Sequence, residues 1–314
     1  MAGSPGLPLL HSGNIQPYGR PGSVKPVPEP ASPTVRRRRL AAELRRLRGD
    51  LTGEFVAEHM GWSASKVSRI ENAHTAPRTS ELRRLLSLYG VEGLYADELL
   101  ALATEAKRKG WWEAYADALP DAHSGYIGLE AEATSSSQWG PEFVIGLMMT
   151  EEYSRQVIRD STRTTSPISP GEIERRVEAR MIRQQILKRD PPFELHTVLD
   201  ESVLHRKIGD NAIMGAQLDR LLELSEYDNI DLRILPLDAP HYIITGGFNL
   251  LEFDRAHDVG YHDIVYLEHL IGSLYFEAEK DTYKYHIAFQ RLCDFSLTPE
   301  ESRQLIAEAR KRWR

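Results

Sequence analysis

The chain of 314 residues is expected to fold as a mainly α N-terminal domain of five helices followed by an α+β C-terminal domain. Three observations carry that expectation. Apolar residues between Val35 and Lys109 recur at steps of three and four, the helical period. From Trp111 onward, strand-like runs enter among the helical ones. The charge changes sign at the same place: residues 35 to 110 hold 15 Lys and Arg against 10 Asp and Glu, residues 111 to 314 hold 22 against 35. The formal net charge of −7 averages these two parts, so it does not argue against a polyanionic partner for the first of them.

An apolar content of 41% with 27% charged residues is enough for a sizeable core, and the length suits two domains. No apolar run reaches the length of a membrane span, and the N-terminus lacks a secretory signal. A cytoplasmic protein without membrane contact is expected. The single cysteine, Cys293, excludes an intrachain disulfide and a thiolate-rich zinc site; next to Leu292 it reads as a core thiol.

Residues 1 to 34 hold eight of the 18 prolines and five of the 22 glycines, and are expected to be a disordered tail. The domain of residues 35 to 110 starts with helix 1, whose Leu40, Leu44 and Leu47 form one stripe. Val56 and Met60 supply the apolar side of helix 2, Ala57 is small where the next helix crosses, and Gly61 sits where the turn favours positive φ. Ser63 is the expected N-cap of helix 3, which buries Val67 and Ile70. Leu82, Leu85, Leu86 and Tyr89 predict helix 4, ending at Gly90, and Leu99, Leu100 and Leu102 a fifth helix reaching the Lys107 to Lys109 run. Gly53 to Ile70 is therefore a helix-turn-helix.

In the domain of residues 111 to 314, Ser169, Pro170 and Glu172 spell a capping box before Ile173, Val177 and Met181, and Thr298 to Glu301 repeat it before Leu305. Met214, Leu218 and Leu221 mark a further helix. Strands are expected at residues 193–199, 230–235, 248–253, 264–267 and 273–276, the last three as a meander.

A helix presented this way fits the DNA major groove. Ala64, Ser65, Lys66, Ser68 and Arg69 lie on or beside the outward side of helix 3, where Lys66 and Arg69 can donate to guanine and the serines to base edges or phosphate. Thr52, Gly53 and Asn72 sit at helix ends suited to phosphate, and Ser63, the expected N-cap, counts with them among the DNA-binding residues. Arg36, Arg37, Arg38 and Arg39 are either an arm that follows the DNA or a basic start to helix 1.

The stretch Leu51 to Pro77 (LTGEFVAEHMGWSASKVSRIENAHTAP) resembles the lambda-repressor-like (XRE) helix-turn-helix family, which implies a sequence-specific transcriptional regulator. The family commonly has Gln where Gly53 stands and a longer polar residue where Ala64 stands. The segments FVIGLMMTEEYSR from Phe143, VEARMIRQQIL from Val177, VLDESVL from Val198, IDLRILPL from Ile230 and VYLEHLIGSLYFE from Val265 are similar to the C-terminal domain of the Scr-type antitoxin-like regulators of actinobacteria. That resemblance implies a small toxin-like partner protein. Where the family tends to have Pro-Gly-Leu-Leu-Gln-Thr, this chain has Ile145 to Thr150.

His257, His262 and His269 with Asp263 and Glu268 invite a metal reading, but none of the histidines has the i, i+4 spacing of a helical metal site and strand neighbours face opposite ways. Asp200 and Glu201, with Ser202 and His205 nearby, are expected to cap the helix that follows. Without a nucleophile elbow or a Gly-rich phosphate loop, no catalysis, cofactor or metal is expected. Trp111, Trp112, Trp139, Tyr242, Phe248, Tyr266, Tyr275 and Phe276 suit core, an interface or an effector pocket. The expected function is operator binding as a homodimer on double-stranded DNA, with the second domain dimerising and receiving a small-molecule effector or partner protein. The alternative is an antitoxin-like protein that sequesters its partner and regulates its own operon.

Overall fold

A computed structural model describes residues 35–106, 110–240, 246–253, 263–269 and 272–314. The expected tail of residues 1 to 34, the Lys107 to Lys109 run, Tyr242, His257 and His262 lie outside the described residues. The described residues belong to one compact unit, built on separate apolar cores.

The first core belongs to five helices: α1 (Val35–Arg48), α2 (Gly53–Met60), α3 (Ala64–Glu71), α4 (Thr79–Leu88) and α5 (Leu94–Glu105). The leucine stripe of α1 does what its spacing requires, with Leu40 and Leu44 packed on Val56, Val67, Ile70, Leu82 and Leu99. Between α2 and α3, Gly61 takes φ 67° and ψ 37°, and its N–H donates to carbonyls at the end of α2. This left-handed turn is open to glycine at little cost, and it closes the first helix so that the second starts across it. Glu43, buried on α1, binds α1 to α5 by accepting from Arg46 and from the Tyr95 hydroxyl.

The second part begins with a short 3-10 turn at Trp111–Tyr115 and α6 (Asp121–Glu132). It continues through β1 (Ser135–Gly140), α7 (Glu151–Thr165), α8 (Pro170–Arg183), β2 (Glu194–Asp200), α9 (Ser202–His205) and α10 (Asn211–Leu224). After these come β3 (Ile230–Leu235), β4 (Phe248–Glu252), β5 (Ile264–His269), β6 (Gly272–Phe276), α11 (Glu279–Phe295) and α12 (Pro299–Arg310). The strands form one sheet in the order β3-β2-β1-β4-β5-β6. Helical crossovers make β1, β2 and β3 parallel, while β4, β5 and β6 run as the expected antiparallel meander. Leu195, Leu199, Leu232, Ile234 and Leu251 face one core, shared with α7, α10 and α12. Trp139, Val198, Leu235 and Phe248 face the other side, covered by Phe289 and Leu292 of α11.

Two expectations need correcting. The central strand β1 was not among the expected strands, because Ser135, Ser136, Ser137 and Gln138 carry no strand-like apolar pattern. Ser136, Ser137 and Gln138 are buried in spite of their polarity, and hydrogen bonds make that tolerable: the Gln138 amide donates to Ser136 Oγ at 3.0 Å, and Thr197 donates to the Gln138 carbonyl. At α8, Ser169 caps as expected, but Glu172 does not close the box. Its carboxylate turns along the helix to Arg176, 2.9 Å away. The box at Thr298 and Glu301 forms in full.

Candidate nucleic-acid interface

The geometry of α3 follows from its two ends and its inner face. Ser63 Oγ accepts from the Lys66 N–H at 3.2 Å, fixing the first turn, and Thr52 does the same for α2 by accepting from Phe55. The first-turn amides of α2, starting at Gly53, have no intrahelical acceptor and point outward from a helix end that favours anions. With Val67 and Ile70 buried, the helical period turns Ala64, Ser65, Ser68 and Arg69 to solvent, and all four are exposed.

Open hollows flank this ridge. One is edged by Arg45, Arg48, Gly53, Ser68 and Asn72. The other is edged by Ser63, Lys66, Arg69, Thr75 and Arg78. Arg45, Thr75 and Arg78 were not among the expected site residues. Their signal is weak in sequence, because only the fold brings the end of α1 and the loop before α4 alongside α3.

The side chains of the expected site differ in how free they are. Arg69 is exposed and has no hydrogen-bond or ion-pair partner among the described residues, and Ser65 is equally uncommitted. Asn72 donates to the Ser68 carbonyl at 2.9 Å and to Ser68 Oγ at 3.2 Å, so the two form a local pair at the end of α3. Lys66 is held aside. Its Nζ lies 2.6 Å from Glu81 and 4.2 Å from the centre of the Trp62 ring. The Lys66 contact, with a second bond from the Arg78 N–H, pulls the Glu81 carboxyl below its usual pKa. Arg48 is likewise paired, at 2.7 Å from Glu71.

The run Arg36 to Arg39 forms the first turns of α1, and these four residues are half-buried. Arg36 lies 3.6 Å from Glu132 of α6, and Arg38 pairs with Glu277 beyond β6. Of the two sequence readings, the free arm gives way to the basic helix start, because acidic side chains of the second half engage the run.

In the acidic half, Asp200 accepts from the Ser202 N–H at 2.9 Å at the start of α9, but Glu201, the N-cap residue, makes no side-chain cap bond and accepts from the Leu237 N–H instead. Glu268 and His269 are exposed on β5. Asp263 is drawn instead to Glu252 and His286, whose polar atoms lie within 4.8 Å of one another. Their link is a hydrogen-bonded pair, His286 Nε2 to Asp263 at 2.7 Å. Cys293 is partly buried, and burial pushes its thiol up to about 11, as suits an unreactive core thiol.

Family models match both parts of this architecture: a helix-turn-helix domain at residues 39–99, and a domain of unknown function, DUF5753, at residues 124–308. The chain belongs to the DUF5753 family. The helix-turn-helix match supports α1 to α5 as the DNA-binding domain of a transcriptional regulator. The DUF5753 domain takes in α6 through α12 almost entirely and contains the whole sheet. No curated protein and no solved structure matches the chain. No helix among the described residues is long and apolar enough to cross a membrane.

Proposed function

We propose that this protein regulates transcription by occupying an operator as a homodimer, with α3 in the major groove and the DUF5753 domain dimerising and receiving the signal. The observation that carries the reading is the exposed and unpaired side chain of Arg69 beside Ser65 and Ser68, on a helix whose opposite side is locked into the core. An arginine in that position has the fork that guanine O6 and N7 accept, and the serines can bond base edges or phosphate. Lys66 enters this scheme only by exchanging Glu81 for DNA. Thr52, Gly53, Ser63 and Asn72 are assigned to phosphate.

Dimerisation is part of the proposal because a single module of this kind buries little surface, and specificity comes from two half-sites about 10 base pairs apart. Selection of bound sequences from a random DNA pool, followed by footprinting, tests the whole reading. A two-fold-related site at that spacing is expected; a lack of sequence preference at low and moderate salt would overturn it.

A second reading is kept for one reason, the acidic charge of residues 111 to 314. That field would steer a small basic protein toward the DUF5753 domain, in keeping with the resemblance to Scr-type antitoxin-like regulators. Co-expression with the product of an adjacent small gene decides it: a stable complex that displaces DNA favours sequestration, and no complex leaves operator binding alone. Both readings describe a binding protein that acts in the cytoplasm and on the nucleoid, not an enzyme.

A further inference from the structure

Glu252 is the last residue of β4, and Asp263 stands just before β5. The two strands pair antiparallel with Leu251 opposite Ile264, so the next rung of that register sets Glu252 opposite Asp263. On the other flank of β4, Glu252 is opposite Ser135 of β1. Side chains alternate along a strand, which puts Glu252 on the face of Phe248 and Asp263 on that of Leu267, the face covered by α11. From that helix comes His286. It shares one side of α11 with the buried Thr282 and Phe289, four residues before it and three after.

Like charges directly opposite each other destabilise a strand pair. Two carboxylates on one rung therefore need a cation between them, and the fold supplies only part of one. His286 faces both, with Nε2 2.7 Å from Asp263 and Nδ1 3.8 Å from Glu252, but a single imidazole carries at most one positive charge. Among the described residues, no lysine or arginine pairs with either carboxylate. The remaining oxygen of Glu252 accepts from Ser135 Oγ at 2.5 Å, which fixes the direction of that carboxylate. Between 26% and 35% of each side chain is exposed, so an ion reaches them from solvent, while two strands and a helix hold their backbones.

We infer that Glu252, Asp263 and His286 bind a divalent transition-metal ion such as zinc, through one ring nitrogen and an oxygen of each carboxylate. The donor atoms of the three lie within 4.8 Å of one another. Bonds of about 2.0–2.2 Å to an ion among them then need only small side-chain rotations. Two carboxylates match the charge of the ion, the nitrogen favours zinc and its neighbours over magnesium and calcium, and water fills the open side. Ser135 orients Glu252 from behind, the part that outer hydrogen-bond partners play at metal sites. The hydrogen bond between His286 and Asp263 keeps the side chains gathered until the ion arrives. Helical i, i+4 spacing is no guide to such a set, because its members come from two strands and a helix. The site is independent of whether α3 reads DNA.

The test uses the full chain without DNA, freed of metal with a chelator and titrated by calorimetry with zinc chloride, cobalt chloride, magnesium chloride and calcium chloride in separate runs. Saturable binding of zinc and cobalt is expected, with a matching rise in melting temperature. Glu252→Gln should fold at least as stably as the parent without metal, because it removes one of two opposed carboxylates and keeps an acceptor for Ser135. It should weaken the affinity for zinc about tenfold or more. His286→Gln takes away the nitrogen donor, with a loss at least as large expected, and it decides the matter if Glu252→Gln fails to fold. Unchanged zinc affinity in the variant that folds would place the ion elsewhere on the chain and overturn the site. So would a lack of saturable zinc and cobalt binding, or a preference for magnesium or calcium over both.

Discussion

Arg38, in the first turn of the DNA-binding domain, pairs with Glu277 beyond the edge strand β6, and its guanidinium lies 5.7 Å from the centre of the Tyr275 ring. The basic run that composition alone offers to DNA is thus turned partly inward, onto the acidic half of the same chain. A phosphate contact and an internal pair make different predictions for one substitution. Arg38→Ala is expected to leave the salt dependence of DNA binding unchanged, whereas loss of a phosphate contact would lower the slope of log affinity against log salt by about one. Fluorescence anisotropy at several salt concentrations measures it.

Arg69 and Glu81 predict opposite changes in DNA binding. Arg69→Ala should lose about 1–3 kcal/mol of discrimination for the operator over random DNA. Glu81→Gln frees Lys66 from its carboxylate and should tighten binding to any sequence, with a steeper salt slope. Competition binding with specific and random duplexes separates the two effects, and equal losses on both duplexes for Arg69→Ala would remove it from the reading set.

The turn between α2 and α3 is held by backbone shape more than by side chains. Gly61→Ala places a side chain at φ 67° and should destabilise the N-terminal domain by about 1–2 kcal/mol, although nothing lies within 4 Å of the added Cβ. Ser63→Ala, which removes the cap of α3, should cost about 1 kcal/mol. Denaturant unfolding of the two variants checks both figures.

Glu130 and Arg183 form a fully buried pair. Breaking it from one side with Glu130→Gln leaves a guanidinium without its anion and should cost about 3–5 kcal/mol. The double variant Glu130→Gln with Arg183→Met should recover much of that loss, which a double-mutant cycle by chemical unfolding would reveal.

His286 gives a pH signature. Its hydrogen bond to Asp263 raises its pKa above the ordinary histidine value, against a smaller opposing effect of burial. A raised folded-state pKa means that the charged pair stabilises fully below the unfolded value of about 6.5 and loses its contribution as pH climbs through the folded value. His286→Gln should therefore lower the melting temperature more at pH 5.5 than at pH 9, and a gap independent of pH would contradict the pairing.

How much was legible in the sequence depended on distance along the chain. The helix-turn-helix could be read because its determinants are local: a four-residue step from Val56 to Met60, a glycine at the turn, a serine three residues before the amide it caps. The meander and the caps at Ser169 and Thr298 are local in the same sense. What escaped was set by partners far away. The serines of β1 are at home in a central strand because neighbouring strands and their own hydrogen bonds satisfy them, and nothing within the segment announces it. Lys66 appears as a free cation until α4 brings Glu81 beside it, 15 residues on. Arg36 and Arg38 meet their carboxylates only when the second half has folded.

The sheet order has a consequence in time. The helical domain is complete once residue 105 exists, and its core is made of near neighbours. The second core has no such early closure. Its first strand, β1, sits in the middle of the sheet and waits for β4, with Ser135 reaching Glu252 across 117 residues. Local contacts form fast and distant pairings late, and domains fold in order of synthesis. Contact distance along the chain thus predicts an interval during synthesis in which the DNA-binding head closes its core before the acidic half is finished. How long that interval lasts is set by the ribosome, not by any equilibrium of the finished protein.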